Sequence, residues 1–204
     1  MYTPKHFQNN DPEDVRRFLE ANGFGILVSQ TSGQLYATHL PMLLSADGTR
    51  LTGHMARGNQ QGKSFGTPGE VLAIFSGPHT YISSSWYDHQ NVSTWNYVAV
   101  HIYGTLRVIT EDELRASLKQ LNDKYEKNSE KPARVEDLPD DYMKHALMGI
   151  VGFEIDITRV EATYKLSQNR DAKNHQTIIK ELQKRGDAGS VEVAELMKVY
   201  GYQG

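Results

Sequence analysis

The segment LTGHMARGNQQGK at 51–63 sets a histidine, two cations and several amides directly after a short apolar run. If that run is a strand, His54 lies on it, and Arg57, Asn59 and Lys63 follow in a glycine-containing turn. Such a strand end gathers cations, an amide and free backbone N–H groups, which suits a phosphate dianion. Arg offers a planar fork and Lys a point charge. The plainer alternative is a solvated basic loop with His54 as a satisfied strand residue. A second group is GPHTYISSSWY at 77–87 followed by VSTWNY at 92–97, which together hold both tryptophans of the chain. Aromatics mixed with Ser, Asn and His can stack on a planar ligand and hydrogen-bond its edge. They can equally form a dimer interface or a core plug, and a ligand between subunits would satisfy both readings. The third is KLSQNR at 165–170, where two cations and three hydrogen-bonding side chains could grip an anion or simply connect a strand to a helix.

Other chemistries find less support. His79, His89 and His101 could approach one another, but no HExxH or paired ligand spacing accompanies them, and no metal site is expected. There is no GxSxG elbow, so Ser83, Ser84 and Ser85 read as turn hydroxyls and no catalytic residue is assigned. Neither GxGxxG nor GxxxxGK[ST] occurs, which leaves those nucleotide sites unsupported. The chain has 204 residues, no Cys and a formal net charge of −3. The absence of Cys excludes disulfides and thiolate chemistry, and the charge disfavours a globally basic nucleic-acid binder. No apolar run approaches the ~18 residues of a membrane span, and the first residues are polar. A soluble, cytoplasmic protein is expected.

The elements that must position these groups follow from caps and periodicity. Asp11-Pro12-Glu13-Asp14 predicts a helix with Asp as N-cap and Pro at the first position, stopped by Gly23. Strands are predicted over 24–30 and 34–44, joined by the turn Thr31-Ser32-Gly33, and over 51–55 after the Asp47-Gly48 hairpin signal. Further strands are predicted at 70–76 and 94–109, with a bend or bulge at Gly104. Thr110-Glu111-Asp112-Glu113 reads as a capping box opening a helix. A polar loop over 127–139, a short helix and an alternating strand from Phe153 to Ile157 follow. Val160–Lys165 extends that strand or pairs beside it. The tail reads as helices over 174–185 and 190–200 around a Gly-containing turn. As a helix-turn-helix this pair is weak: Glu192 and Glu195 would face phosphates, so an αα-hairpin packed on the barrel or dimer is preferred. Hairpin-linked strands with helices inserted between them predict an α+β fold around a β-barrel.

The same residues resemble the PaiB-type family of transcriptional regulators. The matching segments are MYTPKHF at 1–7, YATHLP at 36–41, GHMARGN at 53–59, FSGPHTYIS at 75–83, TWNYVAVHIYG at 94–104, IVGFEI at 150–155 and KLSQNR at 165–170. Ser84 and Ser93 stand where the family has Pro, and Gly62 where it has Trp. The resemblance implies an FMN-binding split barrel over residues 1–170 with a C-terminal helical hairpin over 171–204. It implies a homodimer with flavin between the subunits. His54, Arg57, Asn59 and Lys63 would serve the FMN phosphate and ribityl chain, with Thr38 and His39 adding contacts. Trp95, Asn96, Lys165, Ser167 and Gln168 would border the flavin ring, some from the second subunit. The implied role is negative control of sporulation and of protease and other degradative-enzyme genes, with DNA contacted directly or through another protein. The alternatives are an FMN-dependent oxidoreductase using a reduced nicotinamide donor, or a dimer that has lost its cofactor.

Overall fold

The computed structural model describes residues 1–31, 33–65 and 69–201; Ser32 of the first hairpin turn and the side chain of Ser64 lie outside that description. The chain forms two compact units, one built from Leu19–Ile74 with Ile102–Val160, the other from Met1–Phe18, Phe75–His101 and the chain from Glu161 onward.

The first unit is the barrel. Its strands are β1 (Phe24–Thr31), β2 (Gln34–Leu44), β3 (Arg50–Ala56) and the relevant stretches of β4 (Glu70–Ile82), β5 (Thr94–Val108) and β6 (Ile150–Lys165). They close in the order β1-β2-β3-β6-β5-β4. This is the α+β barrel architecture expected from the hairpin-linked strands. β1 and β2 pair antiparallel from Phe24 opposite Pro41 to Thr31 opposite Gln34. β3 pairs with β6 from Arg50 opposite Asp156 to Ala56 opposite Ile150. The period-two pattern then decides what is inside. Leu27, Met42, Leu51, Ala73, Ile102, Phe153 and Ile155 are sealed in the core. Gly53 makes room for the Phe153 ring, whose Cζ would lie 2.7 Å from an added Cβ.

At Gly104 close approach decides the residue type. A Cβ there would stand 2.2 Å from the Asp156 carbonyl oxygen and 2.6 Å from Ile155 Cγ2. The glycine therefore permits contact between strands. Two helices of this unit, α2 (Glu111–Glu126) and α3 (Asp140–Met148), pack on the strand ends through Ile109, Leu114, Met143 and Leu147. The capping box of α2 forms as expected: Thr110 accepts from Glu113 N while the Glu113 carboxylate accepts from Thr110 N at 2.7 Å.

The second unit carries the continuations of β4, β5 and β6, most of α1 (Pro12–Ala21), and helices α4 (Ala172–Arg185) and α5 (Ala188–Tyr200). β4 runs six residues beyond the predicted end at Ser76, and β6 is one continuous strand through Lys165. Thr80 and Ile82 are buried, and the Thr80 and Ser190 hydroxyls lie 3.0 Å apart. α4 is capped by Asp171 and stopped by Gly186 at φ 75, where the left-handed backbone favours glycine. Asp187 caps α5. Ile178, Leu182, Val193, Ala194 and Met197 form the sealed faces of these two helices. Among the described residues, no helix is long and apolar enough to cross a membrane.

Candidate functional site

In the barrel unit, the alternation of β3 turns Leu51, Gly53 and Met55 inward and leaves Thr52 and His54 on the outer face. His54 is half-buried there, and burial pushes its pKa below the ordinary histidine value. It is therefore a neutral imidazole at pH 7. β3 ends at Ala56, and Arg57 turns to the end of α3. Its backbone N–H donates to Gly149 O at 2.8 Å, its Nε to Met148 O at 2.9 Å and its Nη2 to Ile150 O at 2.6 Å. A helix C-terminus carries partial negative charge and unpaired carbonyls, so a guanidinium fits there. The fork is held in one orientation, and three of its five N–H groups lie outside those two bonds.

Asn59 caps the short 3-10 turn over Gln60–Ser64. Its Oδ1 accepts from Gln61 N at 2.9 Å, and its Nδ2 donates to Thr38 Oγ1 at 3.0 Å. Thr38 donates in turn to Gln61 Oε1 at 2.5 Å. Gln61 is fully buried, and its Nε2 donates to Leu27 O at 2.9 Å and to Ser29 Oγ at 3.1 Å. One amide thus ties β1, β2 and the turn that carries Lys63. Lys63 is exposed, as is His39, whose ring stacks beside Phe24 at 6.3 Å. Thr38 and Asn59 are brought into direct contact. Gln61 and Ser29, absent from the expected set, complete their network. No local signal marks the Gln61 side chain: the Asx turn made by Asn59 engages only its backbone N–H.

In the second unit, the expected flavin-ring residues divide between two sides of β5. Asn96 is fully buried and exchanges hydrogen bonds with Ser167 at 3.0 and 3.1 Å. Its Nδ2 also lies 3.5 Å from Met197 Sδ. Ser167 adopts φ 63, a left-handed conformation rare for a residue with a Cβ. Gln168 Oε1 accepts from Leu166 N at 2.8 Å and its Nε2 donates to Tyr164 O at 2.5 Å. These three side chains lock the connection from β6 to α4. Trp95, one residue from Asn96, lies on the opposite, exposed side. There it meets His79 at 6.2 Å and Tyr81 at 6.1 Å between ring centroids. Lys165 is half-buried and donates to Thr94 Oγ1 at 2.5 Å. The surfaces this cluster offers are therefore the Trp95 aromatic patch and the Lys165 ammonium.

Comparison with known proteins bears on the family and the fold. Residues 1–159 match the family model described as "Putative FMN-binding domain". Protease synthase and sporulation protein PAI 2 of Bacillus subtilis (strain 168) is 41% identical over 200 residues, covering 97% of each chain. Among solved structures, a FAD and heme binding protein from Mycobacterium smegmatis superposes with a TM-score of 0.62 at 15% identity, covering 83% of this chain and 78% of the other. The flavocytochrome Anf3 from Azotobacter vinelandii gives 0.63 at 14% identity, covering 86% and 78%. At those identities the likeness concerns the fold. The full-length sequence match and the family model carry more, and by them the chain belongs to the FMN-binding domain family that includes the PAI 2 protein of Bacillus subtilis.

Proposed function

We propose that this protein is an FMN-binding negative regulator of transcription, acting on sporulation and protease genes as a cytoplasmic homodimer. The observation that carries the reading is the 41% identity, over 97% of both chains, to a protein named for protease synthesis and sporulation. The donor set of the barrel unit fits the polar end of FMN. A phosphomonoester has a second pKa of ~6 and is mostly dianionic at neutral pH. His54, Arg57, Asn59 and Lys63 are assigned to the phosphate and ribityl chain, with Thr38 and His39 beside them. Arg57 is held by two carbonyls with donors to spare, and Asn59 is oriented by Thr38. In the second unit, Trp95 and Lys165 are assigned to the flavin ring. Asn96, Ser167 and Gln168 act as positioning residues for that segment. When bound, FMN supplies a redox-active ring.

The homodimer draws support from the barrel unit. The first half of β2, Gln34–His39, has no buried residue on either side, and Leu35 is 70% exposed. With Phe24 on the paired strand 64% exposed, these apolar side chains are a surface that a second copy would shield. DNA would be engaged directly or through another protein. No acid and base are paired in either cluster, and catalysis is not part of the proposal. Purified protein that is yellow and whose colour resists NAD(P)H would agree with the regulator; bleaching would move the reading to an oxidoreductase.

Arg57→Ala tests the phosphate assignment. Arg57 is exposed in the single chain; with the phosphate enclosed between two subunits, the substitution should weaken FMN binding by ~2–5 kcal/mol, the range for truncating one partner of a buried charge pair. Riboflavin, which lacks the phosphate, should bind wild type and variant equally. Flavin-fluorescence titration reads both. Equal FMN affinity in the two folded proteins would remove Arg57 from the site. An equal loss for FMN and riboflavin would assign Arg57 to holding the end of α3 alone.

A further inference from the structure

The barrel unit holds a cavity of about 560 Å³ where the residue after β3 meets the end of β5, the first turn of α2, the last turns of α3 and the start of β6. That volume falls within the ~300–1,000 Å³ of pockets that take small organic molecules. Its lining has two halves. Ile109, Leu114 and Leu147 are buried members of the apolar cluster between α2 and α3, and Val151 stands beside them. Val108 is 46% exposed and Met148 62% exposed, so the cavity opens to solvent on their side.

The polar half is Arg57, Lys144 and Glu111. Arg57 is fixed by its bonds to Met148 O and Ile150 O, and its other three N–H groups are left for a further acceptor. Glu111 is held by Arg115, whose Nη2 and Nε donate to its Oε1 at 3.0 and 3.2 Å. Among the described residues, no carboxylate forms an ion pair with Lys144 or Arg57.

We infer that this cavity binds a monocarboxylate with a compact apolar body, the carboxylate between Arg57 and Lys144 and the body against Leu114, Leu147 and Val151. Charge selects the head group: two cations stand against one acid, so a single negative charge balances the lining, and a dianion would place its second charge near Glu111. The guanidinium edge and the ammonium both donate to carboxylate oxygens. The apolar half selects the body, because apolar surface on the ligand and on the cavity wall leaves water together. This site goes beyond the flavin reading. It shares Arg57 with that reading, so its test rests on Lys144 and Met148, which the flavin reading does not use.

The test is calorimetric titration of the full chain with 1-naphthoate, with and without saturating FMN. Uncharged 1-naphthylmethanol and bodiless acetate serve as the two controls. Naphthoate should bind saturably in both cases and acetate should not bind. Naphthylmethanol should bind about tenfold more weakly or less, since it leaves both cations unmatched. Lys144→Gln should raise the naphthoate dissociation constant about fivefold, the upper range for an exposed ion pair, and leave FMN affinity unchanged. Met148→Ser, at an exposed position, should also weaken naphthoate and spare FMN. No naphthoate binding, or naphthylmethanol binding as tightly, would overturn the ligand class. Wild-type naphthoate affinity in both variants would overturn the location. Displacement of naphthoate by FMN, or an equal loss of both ligands in Lys144→Gln, would assign the cavity to the flavin and overturn a separate site. If the chain binds no FMN, the Lys144-dependent naphthoate titration still stands, so the two readings fail separately.

Discussion

Gln61 is the side chain on which the barrel unit's polar cluster depends, and Gln61→Ala should show it. The substitution removes Nε2 bonds to Leu27 O and Ser29 Oγ and the Oε1 bond from Thr38. A neutral hydrogen bond contributes a net ~0.5–1.5 kcal/mol, and a buried group left without its partner costs about 1–3 kcal/mol. Thr38 still accepts from Asn59 at 3.0 Å, and Ser29 can turn its hydroxyl, so the three losses are not fully additive. The expected destabilisation is about 3 kcal/mol. For a chain of this size each kcal/mol moves the midpoint by ~2–4 °C, giving a fall of roughly 6–12 °C. Urea unfolding followed by circular dichroism measures the free energy, and thermal unfolding the midpoint. Gln61→Glu sharpens the test because it keeps the shape and exchanges the amide donor for an acid. Burial would raise that acid's folded pKa above its unfolded value of ~4.3. Its stability is then fullest below the unfolded pKa and is lost as pH rises through the folded one. Gln61→Glu should therefore be worst at neutral pH and recover on acidification relative to wild type. A Gln61→Ala protein within 0.5 kcal/mol of wild type would refute the view that this amide holds β1, β2 and the turn together; the threshold is about the spread of neutral surface substitutions.

Two further outcomes follow from the packing. Gly104→Ala places a Cβ against the Asp156 carbonyl and Ile155, where backbone must move, and overpacking costs ~1–3 kcal/mol or more; unfolding in urea should show a loss at or above the top of that range, and a neutral result would mean that β5 and β6 part easily. His175 is buried with Nε2 unpaired, and burial lowers its pKa below the histidine value. With the folded pKa depressed, its neutral form favours the fold above the unfolded pKa of ~6.5, and that stability is lost as pH falls through the folded pKa. Thermal unfolding between pH 8 and 5 should show wild type losing stability on acidification, with a smaller loss in His175→Gln; identical pH slopes would remove His175 as a contributor.

The sequence by itself determined the elements whose causes are local. Thr110 and Glu113 are three residues apart, so the capping box and the start of α2 were legible. Asp11 before Pro12 placed the start of α1, and Asp47-Gly48 with the flanking alternation placed the β2–β3 hairpin, whose Gly48 has φ 74. The apolar run ending at Met55 placed His54 on a strand, and β3 carries it. Tertiary structure alone decided what those side chains do. Arg57 reads as a phosphate fork in its own segment, but two of its donors go to carbonyls 91 and 93 residues away. Gln61 reads as one more turn amide until β1 delivers Leu27 and Ser29, 34 and 32 residues earlier in the chain. Trp95 and Asn96 are adjacent and read as one ligand face. The strand pleat separates them, and Ser167, 71 residues on, claims Asn96 for the interior. The contact of Arg170 with the Tyr87 ring likewise exists only because the segments that follow β4 and β6 are folded together. Caps and periodicity are set within a few residues, where backbone geometry fixes distance. Partners tens of residues apart are chosen by how the strands close, and no short stretch of sequence contains that choice.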